Sequence, residues 1–138
     1  MPPKIKRPGI DGGIKIAPPP PEFSPLPERR PPVFSLQYVQ PSYCISKCTK
    51  DEKSSLVDKM HRLSNLTWAE LKQAGRHQLG FEKIARDSIK SAIPNHLTPD
   101  VDLIAFRFDG MKPMVGYRRE ATFFILWLDR DFTLYDHG

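Results

Sequence analysis

The sequence predicts an α+β domain on three observations. A β-prone run follows a long proline-rich head, two capping boxes open helices behind it, and the last forty residues break into β-prone segments joined by short turns. The expected architecture is a curled antiparallel sheet of five to six strands with two or three helices packed on one face. Eleven of the fifteen prolines fall in residues 1–32, and thirteen of the fourteen aromatics fall after them. This asymmetry divides the chain into a disordered proline-rich arm, 1–32, and a single folding unit, 33–138, close to the usual domain size of roughly 100–150 residues.

In the arm, Pro18 to Pro21 form a run, followed by Ser24-Pro25-Leu26-Pro27 and Pro31-Pro32. Proline lacks the amide proton and fixes φ, which excludes both a helix and an interior strand. Such a segment either binds a partner in polyproline conformation, with Ile5, Ile10, Ile14 and Ile16 as apolar anchors, or serves as a tether.

From Val33, Phe34, Leu36 and Tyr38 alternate with Ser35 and Gln37, the period of a half-buried strand. Pro41-Ser42 marks a turn, and Tyr43 to Ser46 reads as a second strand paired with the first. Thr49 and Glu52 then make a capping box, as do Thr67 and Glu70. The first helix runs to about Leu63 with Leu56, Val57, Met60 and Leu63 on one face; the second begins at Trp68 and stops near Gly75. Phe81, Ile84, Ala85, Ile89 and Ile93 recur at helical spacing and predict a third helix over 81–93, ended by Pro94. VDLIAFRF (101–108) and MVGYR (114–118) flank Asp109-Gly110, a favoured hairpin turn. TFFILWL (122–128) lacks polar alternation and is expected in the middle of the sheet, covered on both faces. Asp129 to Asp131 turns the chain and 132–135 returns as a last strand.

Several classes of protein are excluded at this stage. There is no run of about 18 apolar residues for a membrane-spanning helix. The opening MPPKIKRPGI has no apolar run behind its charges, so no secretory signal is expected, and a cytoplasmic location follows. Length and the lack of a glycine fingerprint exclude a large multidomain enzyme and a dinucleotide-binding fold. G-x-S-x-G, the P-loop and H-E-x-x-H are all missing. Cys44 and Cys48 have no second pair to complete a zinc site, and read as buried thiols kept reduced. Neither a cofactor nor a metal is expected.

Net charge is +5. The arm's six Lys/Arg against three acids supply +3 of that, leaving fifteen bases and thirteen acids in the domain. The surplus suits nucleic acid or an acidic partner, although most of it sits in the arm.

Three groups of residues could carry chemistry. Arg107 and Tyr117-Arg118-Arg119 lie on adjacent strands, where arginines can hold a phosphodiester by paired hydrogen bonds; the alternative is pairing with Asp102, Asp109 or Glu120. The C-terminal Asp129, Arg130, Asp131, Tyr135, Asp136 and His137 combine carboxylates with an imidazole, or simply make a turn whose aspartates bond their own backbone. Arg76 and His77 sit between Gly75 and Gly80 in a loop, where function concentrates on a rigid scaffold.

The M-V-G-Y-R strand followed by F-F-I-L-W-L-D-R-D and L-Y-D-H resembles the RelE/HigB-like mRNA interferases, small toxins of bacterial toxin–antitoxin modules, over residues 50–138. The resemblance implies a metal-independent endoribonuclease acting on RNA or ribosome-associated mRNA and neutralised by a cognate antitoxin or other protein partner, with no membrane role. It further implies that Arg107 and Arg118 bind phosphate while Tyr117, His77 or His137 transfer protons. The alternative is a non-enzymatic adaptor that binds protein or nucleic acid and uses the proline-rich arm as a second contact.

Overall fold

The computed structural model describes residues 26–74 and 79–136. It is an α+β fold with two helices and a five-stranded mixed sheet that does not close into a barrel. The elements are β1 (Val33–Ser35), α1 (Lys50–Leu63), α2 (Trp68–Ala74), β2 (Glu82–Ile84), β3 (Leu103–Asp109), β4 (Lys112–Arg119) and β5 (Thr122–Leu128). Strand order is β1-β5-β4-β3-β2.

Both capping boxes form. The Thr49 amide donates to Glu52 Oε1 at 2.7 Å and the Glu52 amide donates to Thr49 Oγ1 at 3.1 Å, satisfying two of the donors that a helix start leaves open. Thr67 and Glu70 repeat the exchange at 2.9 and 3.2 Å. On α1, Leu56 and Leu63 are buried and Met60 partly so, whereas Val57 is 61% exposed. The apolar stripe is thus 56, 60 and 63, narrower than the sequence suggested, because Val57 stands a further 100° round the helix.

The predicted hairpin is present. β3 and β4 pair antiparallel, with Ile104 opposite Gly116 and Arg107 opposite Pro113; Asp109 still pairs with Lys112, so the turn is Gly110-Met111, one residue later than the sequence suggested, and Gly110 supplies its positive φ. β5 spans the predicted 122–128 and lies between β1 and β4. Its Phe123, Ile125 and Leu128 enter the core under the helices, while Leu126 and Trp127 enter a second core on the other face. Two successive residues share a face because the pairing shifts between Val115 and Gly116, a β-bulge. At that point the β4 backbone approaches β5 so closely that a Cβ on Gly116 would lie 1.9 Å from the Phe124 carbonyl oxygen.

Four expectations are corrected. The first strand stops at Ser35 and pairs parallel with β5, Val33 opposite Thr122, so the sheet is mixed. Tyr43 to Ser46 is no strand: single 3-10 turns occupy Pro41–Tyr43 and Ile45–Lys47, and the Gln40 amide donates to the Leu126 carbonyl instead. Residues 81–93 are not a helix. Phe81 packs into the helix-side core, whereas Ile84, Ile89 and Ile93 pack into the opposite one, a split that a helix lying on one face of the sheet could not make. Glu82–Ile84 instead pairs with Leu103–Ala105, and Arg86–Ser88 forms a 3-10 turn. Finally, 132–135 does not return as a strand, because the buried Asp129 carboxylate accepts from the Thr133 and Leu134 amides and folds the chain into a turn.

Residues 26–32, assigned by composition to the arm, make a 3-10 turn at Pro27–Arg29 and run into β1. Here the Trp68 amide donates to the Arg30 carbonyl and the Val33 amide to that of Ala121. Cys44 is half-buried and Cys48 buried, both as free thiols. No helix among the described residues is long and apolar enough to cross a membrane.

Candidate functional site

Alternation along β3 and β4 decides where the predicted site residues point. Ile104, Phe106 and Met114 face the helices, so Arg118 does too, while Leu103, Ala105, Val115 and Tyr117 face the other way, as does Arg107. Arg107 and Arg118 therefore stand on opposite faces. They also lie at opposite ends of the hairpin, about five residues apart in register or roughly 17 Å along the strands. The structure does not bring them together.

Each arginine already has an acidic partner. Arg107 donates from Nη2 to Glu82 Oε2 at 2.7 Å, both side chains being largely buried. Arg118 pairs with Glu28, donates from Nε to the Glu120 carbonyl at 2.6 Å, and lays its guanidinium 4.4 Å from the centre of the Trp68 ring. The Arg118 guanidinium holds the Glu28 carboxyl below its usual range. The alternative reading, in which these arginines are neutralised by carboxylates, is thus realised with different partners. Asp102 pairs with Lys83, and Asp109 with Lys112. His77 and His137 lie outside the described residues, as does Arg76. In the C-terminal group, Asp129 is consumed by the turn it closes and Asp136 pairs with Lys90. Among the described residues, no three His, Cys, Asp or Glu side chains gather as a metal site would require.

Tyr117 is different. It is buried at the floor of a solvent-open hollow of about 460 Å³, which Tyr38, His96, Thr98, Arg119 and Phe124 also line. The Tyr117 ring stacks on Phe124 at 4.9 Å and 10°, and its hydroxyl lies 3.1 Å from His96 Nε2. Tyr38 covers both, its ring centre 4.4 Å from that of His96 and 5.8 Å from that of Phe124. Four rings from four separate segments thus form a box with a histidine at its mouth.

The chain builds this box by fixing two loops. His96 sits inside a turn closed by Leu97 N donating to the Pro94 carbonyl, and a second turn closed by Val101 N donating to that of Thr98 follows directly. Leu97 is buried as an anchor, and the Arg86 guanidinium donates to the carbonyls of Leu97, Thr98 and Val101, gathering the loop around one cation. Tyr38 is held because Gln40 bonds β5 through its amide and donates from Nε2 to the Tyr38 carbonyl at 2.7 Å.

Burial pushes the Tyr117 phenol above its usual range, with Tyr38 adding to the shift and Arg119 opposing it. The phenol therefore keeps its proton at neutral pH and can serve as a hydrogen-bond donor or an acid. Arg119 is exposed, with no ion pair among the described residues. The arrangement offers a proton-carrying pair, flat surfaces for stacking and a cation. Sequence reasoning singled out Tyr117 but not His96, Tyr38 or Phe124; no spacing rule links a loop histidine to a strand tyrosine twenty-one residues later.

The fold and hollow together define a small α+β protein with an aromatic, histidine-bearing cleft on the loop-covered face of a mixed sheet. No family model matches the chain, and no curated protein or solved structure matches it either.

Proposed function

We propose that the chain is a metal-independent endoribonuclease that cleaves single-stranded RNA in the Tyr38–His96–Tyr117–Phe124 hollow, acting in the cytoplasm as a bacterial toxin restrained by a protein partner. The observation that carries this reading is the 3.1 Å contact between His96 Nε2 and the Tyr117 hydroxyl inside an aromatic cleft bordered by Arg119. Aromatic faces suit unstacked bases, and an exposed arginine suits a phosphate.

In the working tautomer His96 carries its proton on Nε2 and directs it at the Tyr117 oxygen, leaving Nδ1 as base. Nδ1 takes the proton of a ribose 2′-hydroxyl, and that oxygen bonds to the adjacent phosphorus. The bond from phosphorus to the 5′-oxygen breaks, and the leaving oxygen takes the proton of the Tyr117 hydroxyl. The phenolate then regains a proton from Nε2 of the imidazolium, and exchange with solvent removes the proton from Nδ1 and returns one to Nε2, restoring the working tautomer. The products are a 2′,3′-cyclic phosphate and a 5′-hydroxyl, with no metal in the sequence of steps. Arg119 stabilises the charge that gathers on the phosphoryl oxygens. Arg107 has no part in this scheme, and Arg118 supports the hairpin that carries Tyr117.

The test is incubation of the full chain with single-stranded RNA in EDTA, scored for cyclic-phosphate ends. Tyr117→Phe and His96→Ala each reduce cleavage by about 10²-fold or more with the fold intact. RNA that stays whole with the wild-type chain, or is cut equally by both variants, overturns the proposal. The second reading, a non-enzymatic adaptor, is favoured by the engagement of both Arg107 and Arg118 by carboxylates. It is the outcome if RNA or a protein is bound and released unchanged.

A further inference from the structure

The aromatic hollow does not end at Phe124. On the same face, across the β4–β5 pairing, Tyr117 stands opposite Phe124 and Arg119 opposite Thr122. Beyond them a second, open hollow of about 260 Å³ is lined by Arg30, Arg119, Glu120, Ala121, Thr122 and Phe124. Phe124 and Arg119 belong to both hollows, so the two form one continuous track.

Two cations stand on the second half of the track. Arg119 stands at the junction and Arg30 at the far end; both are exposed, and neither has an ion pair among the described residues. Arg30 owes its position to its backbone, since its carbonyl accepts from the Trp68 amide at 3.0 Å and its own amide bonds the Pro27 carbonyl. The side chain is therefore spare to the fold. Glu120 is the single carboxylate lining this stretch among the described residues, and its φ of +53° belongs to the tight turn between β4 and β5.

Two residues along a strand advance about 6.8 Å, the step from Tyr117 to Arg119. That is close to the separation of neighbouring nucleotides in an extended single strand. We propose that Arg30, Arg119 and Thr122 form a second nucleotide subsite adjoining the aromatic hollow, so that the chain engages at least two consecutive nucleotides of a single-stranded nucleic acid. Arg119 holds the phosphate between the two bases, and Arg30 holds the next phosphate along the track. The inference rests on the proposed RNA-directed function for its ligand class, but it concerns binding and stands apart from cleavage. Double-stranded nucleic acid does not fit, because its bases are not free to enter the first hollow.

The experiment uses the full chain and fluorescent 2′-O-methyl oligouridylates of two and four nucleotides, which cannot be cleaved by 2′-hydroxyl attack, with anisotropy measured over a range of salt. The tetranucleotide binds the wild-type chain at least tenfold more tightly than the dinucleotide. Arg30→Ala removes most of that advantage, weakening the tetranucleotide several-fold more than the dinucleotide. It also lowers the slope of log affinity against log salt for the tetranucleotide by about 0.7, the value for one phosphate contact on a single strand. Arg119→Ala weakens both lengths. Equal affinity of the wild-type chain for both lengths, an Arg30→Ala effect that ignores length, or no binding of either oligonucleotide at low salt overturns the subsite. Length-dependent binding by a chain that cuts no RNA retains the subsite and overturns only the nuclease reading. Cleavage that persists without any length dependence does the reverse.

Discussion

On the helix-bearing face of the sheet, Leu56, Leu63, Trp68 and Leu71 are essentially inaccessible to solvent and close onto Phe106, Phe123 and Ile125. On the other face, loops provide the cover, and Tyr38 and Phe124 stay partly open with His96 exposed at the edge. Both faces are rich in aromatic rings, but the rings are used differently. Trp68 packs against Phe81 and Phe106, carries the Arg118 guanidinium and donates from Nε1 to the Ala121 carbonyl, so every group on it is engaged inside the fold. Tyr117 stacks on Phe124 and turns its hydroxyl towards a solvent-facing imidazole. A helix is a continuous wall that closes a core, whereas loops fastened at a few points leave room between the fastenings. The candidate site accordingly lies where the cover is irregular.

The comparison is broken most severely at Trp68. Trp68→Ala removes the largest side chain of the helix-side core together with its hydrogen bond, and should destabilise the fold by about 3–5 kcal/mol in a denaturant titration. Gly116→Ala comes next, because the new methyl would meet β5 backbone and not a side chain that can move. A loss of about 3 kcal/mol is expected, with cleavage falling in step as the bulge shifts. A core lesion at Trp68 that leaves stability unchanged would contradict the assignment of the two faces.

On the loop-covered face, Arg86→Ala frees the carbonyls of Leu97, Thr98 and Val101, and should cost about 1–3 kcal/mol of stability. It should also lower cleavage more than that loss accounts for at temperatures where the variant is fully folded, because His96 loses its anchorage. Activity measured per folded molecule is the readout; an unchanged value would show that the loop is held without Arg86.

A smaller effect belongs to the helix start. The Glu52 carboxyl is held below its usual value first by the Thr49 amide and then by Lys112, 2.9 Å from its other oxygen. Since the folded value is depressed, the stabilisation is complete above the usual glutamate range near about 4.3 and is lost as pH falls through the lowered folded value. Wild type and Glu52→Gln should therefore differ in melting temperature at neutral pH and converge in acid. Thr49→Ala should cost about 1 kcal/mol, typical of a lost N-cap, and leave RNA cleavage untouched.

The chain itself determined the features that rest on neighbours three or four residues apart or on one uninterrupted run. Thr49 with Glu52 and Thr67 with Glu70 announced the helices, Asp109-Gly110 announced the hairpin, and TFFILWL marked a strand buried on both sides. Tertiary structure decided what depends on distant partners. Residues 81–93 have apolar spacing that fits a helix equally well, and became strand and turn because β3 offered an open edge and because Phe81 and Ile84 were needed on opposite faces. The run at Val33 became a parallel edge because β5, nearly ninety residues later, lay beside it. The meeting of His96 with Tyr117 is of the same kind: it follows from where Arg86 pins a loop, and no periodicity records that. Local hydrogen bonds and hydrophobic pattern are written in adjacent residues, while a site made of side chains from four segments exists only once the sheet has brought those segments together.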